Sequence, residues 1–164
     1  MRSLLAPFIL FLSLGAAALA GDPYFKRVWP EWRDADSFQS FYEDHTGKEL
    51  VGKWTMIRSQ PSSRSGLYFL TRINNPGAAM RGATLVLRII SPESENTRTF
   101  SFLTDVPTGS RLFEIGLTGT DWTGAKVQPV AWDMELKGID GRVVARKVSF
   151  LWEKPEASPV AGGR

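Results

Sequence analysis

Cysteine is absent from this 164-residue chain. That absence excludes disulfides, thiolate nucleophiles, thiolate metal sites and the lipid-modified cysteine of a bacterial lipoprotein. Histidine occurs once, at His45, so a multi-histidine zinc set cannot be built either. The chain also lacks a strong surplus of one charge. Its 20 Lys and Arg stand against 17 Asp and Glu, a formal net charge of +3. Nucleic-acid binding asks for basic residues gathered on one face. Here they are scattered singly among acids and read as solvated surface, so no nucleic-acid partner is expected.

One long apolar run is present, at the start. MRSLLAPFILFLSLGAAALA has a positive first turn at Arg2, an apolar stretch from Leu4 to Leu14, and the small-x-small exit Ala18-Leu19-Ala20. Charge, apolar core and small-residue exit in that order make a cleavable secretory signal over residues 1–20. A spanning helix needs about 20 predominantly apolar residues, so cleavage is favoured over anchoring. The mature chain would start at Gly21 with no membrane span. The expected location is the bacterial periplasm or the secreted fraction. Small exported domains often lean on disulfides, and this one has none. About 134 residues remain before the tail, enough to bury about two-thirds of the unfolded surface in one core.

Residues 21–49 read as an irregular aromatic arm followed by a short helix. The arm, GDPYFKRVWPEWR, is broken by prolines. Asp36 is placed to cap the helix, with Gln39 three residues on, as in a capping box. Phe38, Phe41, Tyr42 and His45 follow the i, i+3, i+4, i+7 spacing of one helical face, and Gly47 is placed to end it. After Gly47 the apolar period becomes two. Strands are predicted over 50–58, 66–73, 83–90, 97–103, 111–117, 130–137 and 142–152, separated by turn signals such as Asn74-Asn75-Pro76-Gly77. The tail from Pro155, PEASPVAGGR, lacks large apolar anchors and is expected to be disordered.

The last two predicted strands allow a register argument. Val130, Trp132, Met134 and Leu136 are apolar at even positions, as are Val144, Val148, Phe150 and Trp152. Partners directly opposite share a face of the sheet. A three-residue loop at Ile139-Asp140-Gly141 would then mate Leu136 with Val144 and Trp132 with Val148, with Gly141 left-handed. About seven strands with regular turns predict a β-sandwich over residues 50–154, with a small closed barrel as the alternative. The closing hairpin is similar to the last two strands of immunoglobulin-like or fibronectin-III-like domains. That resemblance is architectural, covers roughly residues 50–153 and carries no sequence motif. The chain has no Cys…Trp…Cys spacing, which argues against an antibody-type domain.

No residue set forms a catalytic, metal or cofactor signature, and none of these is expected. Asp105, Asp121 and Asp133 lack the spacing of a calcium loop. His45 reads as a packed or capping residue near a helix end. Asp133 and Glu135 alternate on one strand face, and with Glu114 they are the nearest approach to a hydrolytic carboxylate pair. They read as a solvated sheet surface. Gly116 to Asp121 reads as a strand end and a turn rather than a phosphate cradle. Arg146 breaks an apolar strand face, either with its stem packed and its head at the rim or by reaching a buried carboxylate. Trp54, Trp132 and Trp152 read as core. Trp29, Trp32 and Trp122 lie outside the predicted strands and are the candidate contacts for a ligand or partner. The expected function is a non-enzymatic binding or accessory module of the cell envelope, its partner another envelope protein or a glycan. A carbohydrate-binding domain using those tryptophans is the alternative, and a carboxylate hydrolase the third reading.

Overall fold

The computed structural model describes residues 21–38, 54–125 and 127–153. Eight strands follow in chain order: β1 (Tyr24–Arg33), β2 (Trp54–Arg58), β3 (Gly66–Asn75), β4 (Met80–Ser91), β5 (Ser94–Val106), β6 (Gly109–Thr118), β7 (Ala131–Lys137) and β8 (Val143–Val148). A helical turn, α1 (Phe150–Glu153), closes the described chain. The strands form two four-stranded sheets, in the orders β1-β3-β6-β2 and β5-β4-β7-β8. The fold is mostly β-sheet and not a closed barrel, so the barrel alternative falls away.

The two sheets meet because their strands place large apolar residues at every second position. Leu67, Phe69 and Ile73 of β3 and Phe113, Ile115 and Leu117 of β6 are fully buried in one core with Leu85, Leu87 and Ile89 of β4 and Met134 and Leu136 of β7. Each such side chain contributes roughly 1.5–3 kcal/mol on burial. Phe69 meets Trp132 edge-on across the core, with ring centroids 5.9 Å apart. The central strands are thus β3 and β6 in one sheet, β4 and β7 in the other. Strands β1, β2, β5 and β8 are edges.

Turn chemistry follows the sequence. Asn75 is buried, its side chain accepting from the Gly77 amide at 3.1 Å and donating to the Ala78 carbonyl at 2.8 Å. That holds the turn between β3 and β4. Between β4 and β5 the turn is tight: Ser91 pairs with Ser94 around Pro92-Glu93.

Four expectations are corrected. The arm is not irregular: Tyr24–Arg33 is a strand paired antiparallel with β3 from Tyr24–Asn74 to Arg33–Gly66. Pro30 misleads here. It lacks an amide donor, but an edge strand needs ladder bonds on one side only. Second, the first turn after β1 is capped by Asp34 rather than Asp36. The Asp34 carboxylate accepts from the Ser37 amide at 2.8 Å and opens a 3₁₀ turn over Asp36–Phe38. The rest of the expected helix, with His45, lies outside the described residues, as do the leader, the start of the expected 50–58 strand and the tail.

Third, the β7–β8 register is not the one that apolar parity predicts. Lys137 pairs with Val143 beside the loop, then the register shifts, and Leu136 faces Ala145 while Met134 faces Lys147. Arg146 thereby comes opposite Glu135 and onto the face that carries the buried Asp133. Pairing the buried carboxylates outweighs keeping every valine inward. Gly141 is left-handed as expected, at φ +77°. Fourth, the last strand stops at Val148. The Ser149 amide still donates to the Trp132 carbonyl at 2.9 Å, but Phe150–Glu153 then turn into α1. Trp152 is therefore not a strand residue, and Phe150 stands 81% exposed.

Candidate functional site

The three tryptophans marked by the sequence do not come together. Trp122 follows a 3₁₀ turn at Gly119–Asp121 and is buried, its Nε1 donating to the Val127 carbonyl at 3.3 Å. It belongs to the core cluster and offers no open ring face. Trp32 points inward opposite Leu67 and packs against the same core. Trp29 lies three residues earlier on β1, and odd spacing on a strand puts it on the opposite face. There Arg27 covers it, the guanidinium carbon 4.5 Å from the ring centre. Trp29 and Trp32 thus form no shared stacking platform.

The carboxylates are not solvated either. Asp133 and Glu135 project from the outer face of β7, yet Asp133 is 0% exposed and Glu135 is 8% exposed. Arginines from both neighbouring strands cover them. Arg88 on β4 donates to Asp133 Oδ2 at 2.6 Å and to both Glu135 oxygens at 3.0 and 2.9 Å. Arg146 on β8 donates from Nε and Nη2 to the two Asp133 oxygens at 2.9 and 3.1 Å. Lys137 adds a third cation, with Nζ 3.6 Å from Glu135 Oε2. The Arg88 hydrogen bonds hold Glu135 below the usual carboxylate range, against the opposing effect of burial. The two arginines are held above their ordinary values, by their bonds to Glu135 and Asp133 respectively. A carboxylate that is ionised and saturated with donors is a poor general acid.

The other sheet has a similar covered acid. Glu114 on β6 is buried and accepts from Arg33 Nη1 at 3.1 Å. Nearby, Tyr68 is fully buried, donating to the Arg64 carbonyl at 2.6 Å and accepting from Arg58 Nε at 2.9 Å. Burial pushes its phenol up. The remaining acids are dispersed: Asp105 accepts from the Gly82 amide at 2.9 Å, and Asp121 pairs with Arg98 at 3.5 Å. Among the described residues no group of three or more His, Cys, Asp or Glu could hold a metal ion. Among the same residues, no helix is long and apolar enough to cross a membrane.

Two open surfaces of the β5-β4-β7-β8 sheet bear on binding. One is the free edge of β5, 13 residues long and paired only with β4 among the described residues. From Thr99 to Thr104 it carries no charge, proline or glycine, and Leu103 is 76% exposed. The other is a groove of about 540 Å³ beside the opposite edge, lined by Arg146, Lys147, Val148, Trp152 and Glu153. Sequence reasoning missed the groove because it placed Trp152 in a strand. The signal that could have found it was Arg146, the one charge on an otherwise apolar alternation. No known protein family, no curated protein and no solved structure matches this chain.

Proposed function

We propose that this protein is an exported, non-enzymatic binding module of the bacterial cell envelope that holds an extended segment of a partner protein along β5. The observation that carries the reading is the undefended edge. Sheet edges expose unpaired amides and carbonyls, and proteins usually blunt them with short strands, lysines or prolines. β5 has 13 residues and neither lysine nor proline between Ser94 and Val106, and its charges, Glu95, Arg98 and Asp105, leave the central run Thr99–Thr104 unguarded. Main-chain pairing with an added strand would give affinity, and the exposed Leu103 would give side-chain selectivity. The saturation of Asp133, Glu135 and Glu114 by arginines weighs against the hydrolase reading. The burial of Trp122 weighs against a sugar platform built on Trp29, Trp32 and Trp122.

The sandwich itself fits an immunoglobulin-like scheme. The order β5-β4-β7-β8 facing β1-β3-β6 follows the C′-C-F-G and A-B-E arrangement of such domains. β2 departs from it, since it precedes β3 in the chain yet lies parallel beside β6. In this scheme β5 is the C′ edge, a strand free on one side.

The test is photo-cross-linking in the intact envelope, with the reactive group at position 103 and, as control, at position 139 in the β7–β8 loop. The reading expects a discrete protein adduct from 103 that disappears when the adjacent edge residue Ser101 is changed to Lys, with none from 139. Equal labelling from both positions, or a 103 adduct indifferent to the Ser101→Lys change, would remove β5 as the docking edge. Recovery of the chain in the cytoplasmic fraction with its first twenty residues intact would remove the envelope assignment.

A further inference from the structure

The groove beside β8 holds a guanidinium whose better half is unused. Arg146 Nε and Nη2 are fixed on the two oxygens of Asp133, which is fully buried and cannot move away. A guanidinium has five N–H donors in one rigid plane. Two are spent on Asp133. Nη1 makes no hydrogen bond among the described residues, and the side chain is 52% exposed. The outer Nη1–Nη2 end therefore faces solvent as a second fork, already oriented by the first. Such forks match a carboxylate by two parallel hydrogen bonds. Because Asp133 has already fixed the side chain, little rotamer freedom is left to lose on binding.

The rest of the lining supports an anionic and ring-shaped occupant. Lys147, the next residue on the strand, borders the groove but alternation turns its side chain to the Met134 face, and Trp152 from α1 contributes a half-exposed indole. Glu153 is the acid among the groove residues. Arg88 and Lys137 behind the groove offset Glu135 and the other side of Asp133. An indole stacks on the apolar face of a sugar ring, whose rim remains free for polar contacts. We infer that this groove binds an acidic saccharide, with the Arg146 fork on its carboxylate and Trp152 against the ring. The site is independent of the β5 edge, which lies across the sheet.

The experiment is calorimetric titration of the full chain with oligogalacturonate, against a neutral dextran oligosaccharide of similar length. Saturable binding of the uronate and none of the dextran is expected, weakening as salt is added. Arg146→Lys keeps a cation for Asp133 and removes the fork; it should weaken binding at least tenfold. Trp152→Ala should do the same, and Leu103→Lys on β5 should do nothing. If Arg146→Lys melts well below the parent, Trp152→Ala carries the test, since Trp152 does not bond to Asp133. No binding of the uronate, equal binding of both sugars, or binding unchanged by these substitutions each overturns the assignment.

Discussion

At the scale of single residues the molecule is governed by a few acids that the fold buries and then neutralises. Arg88 bridges Asp133 and Glu135 with three hydrogen bonds. Removing one partner of a buried pair strands the other, at a cost of about 3–5 kcal/mol. Arg88→Met should approach that loss in urea unfolding, and a change below about 0.5 kcal/mol would show that Arg146 and Lys137 suffice. Glu135 adds a pH dependence of definite sign. Its folded-state pKa is depressed by Arg88, so its stabilisation is fully present above the ordinary glutamate value of about 4.3. It is lost as pH falls through the folded value. The melting temperature should therefore drop on acidification below about pH 4.3, and Glu135→Gln should flatten that limb. An acid limb identical in parent and variant would contradict the assignment. None of this burial was readable from the sequence, because alternation of Asp133 and Glu135 with apolar neighbours looks the same on a wet face as on an arginine-covered one.

At the scale of elements, the sequence was informative for the central strands and for the edges β2 and β5, and misleading at the edges β1 and β8. The strands β3, β4, β6 and β7 have both sides paired and one face in the core, so their period-two apolar pattern is strong and their positions were read closely. The edge strands are constrained less. β1 tolerates Pro30, which makes it read as an irregular arm, and β8 tolerates a register shift that puts Lys147 opposite Met134. The hairpin joining β7 to β8 was read correctly only at its tip. Gly141 sits at φ +77° and a Cβ there would meet no atom within 4 Å. The penalty of adding one is therefore purely conformational, about 1–2 kcal/mol. Gly141→Ala should destabilise by that amount in chemical denaturation, and Gly141→Asn by less, because asparagine tolerates the left-handed region. Equal stability of all three would mean the loop relaxes out of this conformation.

At the scale of the whole molecule, stability must come from the core and the two ladders, since the chain has no cysteine to cross-link it. That makes the first strand decisive. β1 covers one side of β3, and its Phe25 is buried in the shared core while Val28 and Trp32 pack against it. Without β1, the 10-residue strand β3 would become an edge with Leu67, Phe69, Leu70 and Ile73 in a row of almost uncharged sequence. Such an edge is a template for aggregation. The segment that reads as an arm in the sequence is then part of the minimum folding unit. Only Gly21, Asp22 and Pro23 separate it from the expected cleavage point after Ala20, so a cut a few residues downstream would remove ladder pairs. A chain starting at Gly21 should give a cooperative melt and sediment as a defined species. A chain starting at Asp34 should lose cooperative unfolding and aggregate, as read by circular dichroism and sedimentation velocity. If the shorter chain instead unfolds cooperatively at the same urea midpoint, the β3–β6–β2 ladder and the facing sheet carry the fold without β1, and Phe25 contributes nothing that the rest of the core cannot replace.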